Sequence, residues 1–186
     1  TAYDRYADQK EMIIENRAYH SQTKQDESFK PWLKGSDVGR YTLTWSGEYI
    51  SYGPWLAAPR EPKIFKGPRL LIREVVHSST LYIVYTDKEI YYGHCVIPVL
   101  IKESYGPQYI LSLCASLTVG FWARYKAANV LKDAFPKVNP DDVRRIPVRR
   151  ILFNTTQKHL ENEVKELKNL YRDAVSPSGP TGPAQT

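Results

Sequence analysis

Apolar and β-branched positions cluster in short runs through the first hundred residues, then recur every third or fourth position. That change of period predicts strands first and helices afterwards. Tyr41-Thr-Leu-Thr-Trp45 and Glu48-Tyr-Ile-Ser-Tyr52 are aromatic and β-branched runs separated by Ser46-Gly47, the form of a β-hairpin. Arg69 to Val76 and Leu81 to Tyr85 read as two further strands joined by a turn over His77 to Thr80. Tyr91, Val96-Ile97 and Val99 to Ile101 suggest more extended chain, with Pro98 marking a sheet edge or a bulge. Between the first two strand pairs, Pro54, Pro59, Pro62 and Pro68 stiffen a loop that should follow the surface.

Pro107 can open a helix along which Ile110, Leu113, Leu117, Phe121 and Tyr125 form a large apolar stripe. A second stripe of Ser112, Ala115, Ser116, Val119 and Ala123 is small enough for a neighbour to approach closely. Asn154-Thr-Thr-Gln157 has the form of an N-cap with Gln three residues on, and Leu160, Val164, Leu167 and Tyr171 line one face beyond it. Ser176-Pro-Ser-Gly-Pro-Thr-Gly-Pro is expected to be a disordered tail. The fold class read from this pattern is α/β in the α+β sense: a twisted, mainly antiparallel sheet with flanking helices and a long C-terminal helix. The expected parts are a linker over residues 1–30, a main domain over 31–153, an amphipathic helix over 154–175 and a tail over 176–186.

The length of 186 residues suits one domain or slightly more, and 42% hydrophobic with 25% charged residues is a globular composition. Residues 104–123 carry no charge, but they are interrupted by Gly106, Pro107, Gln108 and several hydroxyl side chains, which predicts a buried helix and no membrane span. Two cysteines, Cys95 and Cys114, make no disulfide framework, so a cytoplasmic location is expected. A start at Thr1 without a leader pattern suggests a segment of something longer.

Charge alters the picture. The formal net charge is +6, and it gathers in two basic stretches, 30–73 and 102–150, around a mildly acidic middle. Catalytic and metal signals are weak: of His20, His77, His94 and His159, only His94 adjoins a cysteine, and neighbours on a strand point to opposite faces. No phosphate-cradling glycine run and no nucleophile elbow occurs, and Asn139-Pro-Asp-Asp142 reads as a helix cap. No catalytic residue, metal ligand or cofactor is therefore assigned to this segment.

A binding surface is better supported. Lys34, Arg40, Arg60, Lys63, Lys66, Arg69 and Arg73 are interleaved with Trp32, Tyr41, Trp45, Tyr49, Tyr52, Trp55 and Phe65. Cations of this kind neutralise phosphates, and guanidinium forks and flat rings reach base edges. The alternative is an aromatic sheet core with a solvated basic rim.

The ordered series Phe29-Lys-Pro-Trp-Leu-Lys-Gly-Ser-Asp-Val-Gly-Arg-Tyr41, Tyr49-Ile-Ser-Tyr52, Pro62-Lys-Ile-Phe65 and Pro68-Arg-Leu-Leu-Ile-Arg73 resembles the TaqI-like C-terminal specificity domain. Ile14-Glu-Asn-Arg17, Asp26-Glu-Ser-Phe29, Tyr109 to Leu117 and Ile146-Pro-Val148 extend the resemblance over about residues 14–150; Ala115 and Arg149 depart from it. The resemblance implies a target-recognition module of an adenine-N6 DNA methyltransferase, alone or fused to a type II restriction endonuclease. It implies double-stranded DNA and an N-terminal methyltransferase domain of the same parent chain as partners, with S-adenosylmethionine bound only in that parent. The expected DNA contacts are Lys34, Lys63 and Lys66 on phosphates, Arg40, Arg60, Arg69 and Arg73 on base edges or phosphates, and Tyr41 and Trp55 on sugar or base. Arg69 and Arg73 share one strand face and would leave this set if that face were buried. A rival expectation is a scaffolding module that self-associates weakly through Leu160, Val164, Leu167 and Tyr171.

Overall fold

A strand whose consecutive residues are all apolar needs cover on both faces, and Leu70-Leu71-Ile72 obtains it. The computed structural model describes residues 2–3, 9–76, 79–102, 105–126 and 137–149, together with 161–162, 164–166 and 168–169. The chain forms two units, Thr1–Val148 and Arg149–Thr186. The described elements of the first are α1 (Glu11–Glu15), β1 (His20–Ser21), β2 (Phe29–Leu33), β3 (Tyr49–Ser51), β4 (Arg69–Arg73), β5 (Ile83–Thr86), β6 (Tyr91–Tyr92), β7 (Val96–Val99), α2 (Pro107–Cys114), α3 (Leu117–Lys126) and α4 (Pro140–Arg144). In the second unit, the described residues of 161–169 are helical and Val164 is exposed. Leu160, Leu167 and Tyr171, the rest of the expected helix interface, lie outside the described residues.

The expected mixed, mainly antiparallel architecture is present, divided into two sheets. One has the order β1-β3-β2-β6, antiparallel except for the parallel β2–β6 pair, and the other is the antiparallel β5-β4-β7. Pro98 lies on β7, an edge strand of the second sheet, where a missing N–H is tolerated. Side chains of β4 alternate between two cores. Leu70 and Ile72 join Ile83, Ile97, the helical residues Ile110, Cys114, Val119 and Ala123, and Ala115 between the helices. Leu71 joins Val84, Val96 and residues of the four-stranded sheet, among them Leu33, Ile50, Tyr91 and Tyr92. The layers of this unit are therefore helices, three-stranded sheet and four-stranded sheet.

Two local expectations need correction. Tyr41 to Trp45 does not pair with Glu48 to Tyr52 as a hairpin. Instead β3 pairs with β1 and β2, and the 38–43 segment closes on itself through a bridge between Val38 and Leu43. A left-handed φ of 65° at Tyr41 breaks the extended chain there. The expected continuous helix from Pro107 is also interrupted. The Ser116 hydroxyl donates to the Leu113 carbonyl and accepts from the Val119 N–H, which ends α2 and caps α3. Of the small stripe, Ala115, Val119 and Ala123 are buried and Ser112 is exposed, and on the same inward side a Cβ on Gly120 would collide with the Ser79 carbonyl. Leu117, Phe121 and Tyr125 are turned outward and exposed. No helix of the described residues is long and apolar enough to cross a membrane.

Candidate nucleic-acid interface

The segment from Lys34 to Ser46 is shaped by one carboxylate. Asp37 is buried, and its Oδ2 accepts the Lys34 N–H at 3.0 Å and the Ser46 hydroxyl at 3.0 Å. Its carbonyl accepts the Thr44 N–H at 2.9 Å, so both arms of the loop hang from this residue. At the tip, the Gly39 N–H donates to Thr42 O at 2.9 Å and the Tyr41 N–H to Ile83 O of β5 at 2.8 Å. Arg40 reaches the other way, its Nη2 donating to the Ala115 carbonyl at 3.1 Å beside the end of α2. Its guanidinium carbon lies 5.1 Å from the centroid of the Tyr41 ring, a cation–π distance. The Tyr41 side chain stays 49% exposed.

A second group lies on the proline-rich loop. The Tyr52 hydroxyl accepts the Arg60 N–H at 2.7 Å and donates to the Arg60 carbonyl at 2.6 Å, fixing the backbone of that residue at both ends. Burial raises the Tyr52 pKa, so it remains a neutral donor. Trp55 donates its indole N–H to Ser51 O at 3.1 Å and remains exposed. Arg60 lines a small cleft with Trp32, Tyr52, Phe65 and Tyr92. The rings of Tyr52, Phe65 and Tyr91 pack together at centroid distances of 4.4–5.3 Å, Phe65 stacked on Tyr91 and edge-on to Tyr52. The Tyr91 phenol is pushed up to about 12, chiefly by burial and then by its hydrogen bond to Glu89. The expected stiff loop therefore rests on a rigid aromatic base.

The nine expected contact residues do not share one environment. Lys34 Nζ lies 3.7 Å from Glu48 Oε2, Lys66 Nζ 3.3 Å from Glu89 Oε1, and Lys63 pairs with Glu61. Arg40, Arg60 and Arg73 form no ion pair among the described residues. Arg73 is half-buried, its guanidinium 5.4 Å from the Tyr82 ring centroid.

Arg69 is not a surface contact. It is fully buried, and its guanidinium donates to Gly67 O at 2.7 Å, Phe65 O at 2.7 Å, Lys88 O at 2.9 Å and Ile90 O at 3.3 Å. It points into the core between the sheets, with Leu71, and ties the end of the proline-rich loop to the chain before β6. The expectation of a DNA contact at Arg69 is withdrawn for that reason.

Residues that shape the surface without having been singled out include Asp37 and Glu48. Asp37 follows Gly35-Ser36, a turn composition that signals a side chain bonding back to the backbone. Glu48 is 2% exposed, and its Oε1 pairs with Arg17 Nη2 at 3.1 Å. Its carbonyl accepts the N–H of Trp32 and the indole N–H of Trp45. Nothing in the linear pattern distinguishes it from a solvated acid. His20 packs edge-on to Trp32 at 5.2 Å and bonds Tyr3 through Nδ1 at 2.9 Å. Burial, more than the nearby Arg17, lowers its pKa to about 4, so it is neutral near pH 7.

No curated protein matches the chain at a significant level. Comparison with family models, in contrast, matches residues 30–148 to the TaqI-like C-terminal specificity domain. The matched span holds both sheets except β1 and the first residue of β2, the Asp37-anchored loop, the proline-rich loop and α2 to α4. The chain belongs to the TaqI-like C-terminal specificity domains, the target-recognition segments of restriction–modification enzymes.

Proposed function

We propose that this chain reads a short double-stranded DNA sequence for an adenine-N6 methyltransferase, alone or fused to an endonuclease, whose catalytic domain lies outside these residues. The observation that carries the reading is the family match over residues 30–148. In that role the parent enzyme takes S-adenosylmethionine and flips the target adenine into its own active site. The present chain contributes only grip and choice of site.

The geometry favours Arg40, Tyr41, Trp55 and Arg60 as the groups that meet the duplex: the backbones of Tyr41 and Arg60 and the side chains of Arg40 and Trp55 are anchored, and none of the four pairs with a carboxylate among the described residues. Arg73, half-buried on the strand face of the buried Arg69 and Leu71, leaves the set with Arg69. Lys34, Lys63 and Lys66 serve phosphates by exchanging one partner for another. The pairs of Lys63 and Lys66 with exposed carboxylates are worth only about 0–1 kcal/mol, so a phosphate competes there at small cost, whereas Lys34 would leave the buried Glu48 carboxylate to Arg17 alone. Titrating the chain against random and selected duplexes at several salt concentrations tests the proposal. Binding should weaken with salt, losing about 0.9 in log–log slope for each phosphate neutralised. Lys63→Ala should weaken all sequences alike, whereas Arg60→Ala should cost about 1–3 kcal/mol on the selected site and relax its preference. A salt-independent response would count decisively against DNA as the partner.

A further inference from the structure

We infer that Tyr41 is a preformed stacking finger that places its ring on a nucleobase of the bound duplex. The inference rests on the DNA-recognition reading and assigns a specific task to one residue within it. Tyr41 has φ 65°, one of two non-glycine residues with positive φ among the described residues. A bulky aromatic there is strained by roughly 1–2 kcal/mol relative to glycine, so the fold bears a cost to keep a ring at this position. The ring does not repay that cost as core, since it is 49% exposed.

The turn under it is anchored by one backbone bond and one side-chain bond. The Tyr41 N–H is bonded to β5 through Ile83 O, and the Arg40 guanidinium is bonded to the Ala115 carbonyl. Arg40 also lies 5.1 Å from the ring centroid and supports it as a cation. A flat ring with a cation beside it, on a turn that does not have to rearrange, suits stacking on a base that the bound DNA presents. Little ordering entropy is lost on contact. An aromatic ring gives no donor–acceptor code, so it selects for steps that unstack readily and leaves edge reading to its neighbours.

The experiment uses the chain with a randomised duplex library, from which wild type selects its preferred sequence. Tyr41→Phe, Tyr41→Leu and Tyr41→Gly are then titrated against that duplex and melted alone. Tyr41→Phe should bind like wild type. Tyr41→Leu, which keeps bulk and backbone strain but loses the ring, should bind about five- to hundredfold more weakly. Tyr41→Gly should lose affinity to the same degree while melting no lower than wild type, because glycine accepts the left-handed turn. A wild type that selects a sequence while Tyr41→Leu and Tyr41→Gly bind it undiminished overturns the stacking role and leaves DNA recognition standing. A Tyr41→Gly variant that melts below wild type also overturns it, since the ring is then part of the fold. A wild type that selects nothing and binds no duplex removes the recognition reading and this role together.

Discussion

At the scale of single residues, the same side-chain type does opposite work according to the face on which it falls. Arg40 and Arg69 both belong to the basic stretch that suggested a DNA surface, yet one is exposed and the other fully buried. The strand period of two put Arg69 on the face of Leu71, and whether that face was buried depended on a second sheet that no local pattern announces. Arg69→Met should therefore destabilise the chain by about 3 kcal/mol or more in urea unfolding, because the carbonyls of Phe65, Gly67, Lys88 and Ile90 lose charged donors. Arg69→Lys should recover only part, since an ammonium cannot span that set. His20 supplies a titrating probe of the N-terminal segment. Its folded pKa of about 4 lies below the ordinary 6.5, so the native state resists its protonation. Its contribution is intact above pH 6.5 and is lost as pH falls toward 4. The thermal midpoint should decline across that window, and His20→Phe should flatten the decline.

At the scale of elements, the sequence was legible where one local signal decided the outcome. Asn139 accepts the Asp142 N–H at 2.9 Å and the Asp142 carboxylate accepts the Asn139 N–H at 3.0 Å, the cap that the tetrapeptide implied. β4 followed from its apolar run. Where two signals competed, the larger side chains misled: Leu117, Phe121 and Tyr125 form the more apolar stripe, but α3 buries Val119, Gly120 and Ala123. The deciding contact is the approach of Gly120 to the Ser79 carbonyl, which lies far away in sequence. Gly120→Ala reverses the usual sign of that substitution. In an open helix alanine gains about 0.5–1 kcal/mol, whereas here it should cost about 1–3 kcal/mol by forcing α3 off the 79–80 backbone. Phe121→Ala, on the exposed face, should stay within about 0.5 kcal/mol of wild type. Equilibrium denaturation of the pair separates a packed small face from a packed large one. β2 escaped notice for a related reason: Lys30-Pro31 interrupts its apolar pattern, and its partners β3 and β6 are distant in sequence.

At the scale of the first unit, β4 is the strand on which both cores depend. Leu70, Leu71 and Ile72 are fully buried, Leu70 and Ile72 against the helical side and Leu71 against the four-stranded sheet. Removing β4 would expose apolar surface on both sides at once, so its opening should require global unfolding, whereas the 39–42 turn can open with the cores intact. Hydrogen exchange should accordingly be slowest at the amides of Leu70 to Ile72, approaching the rate of whole-unit opening. The Tyr41 amide, bonded to Ile83 O at the edge strand β5, should exchange faster. A recognition surface built this way separates its two demands. The strand that carries the stability does not carry the contacts: Arg69 ties the proline-rich loop to it, while Asp37 closes the 34–46 loop on itself. Adding a bound duplex should slow exchange at residues 39–42 and leave β4 unchanged. Uniform protection across both would mean that binding and folding are one event, and that the anchored loops are not preformed.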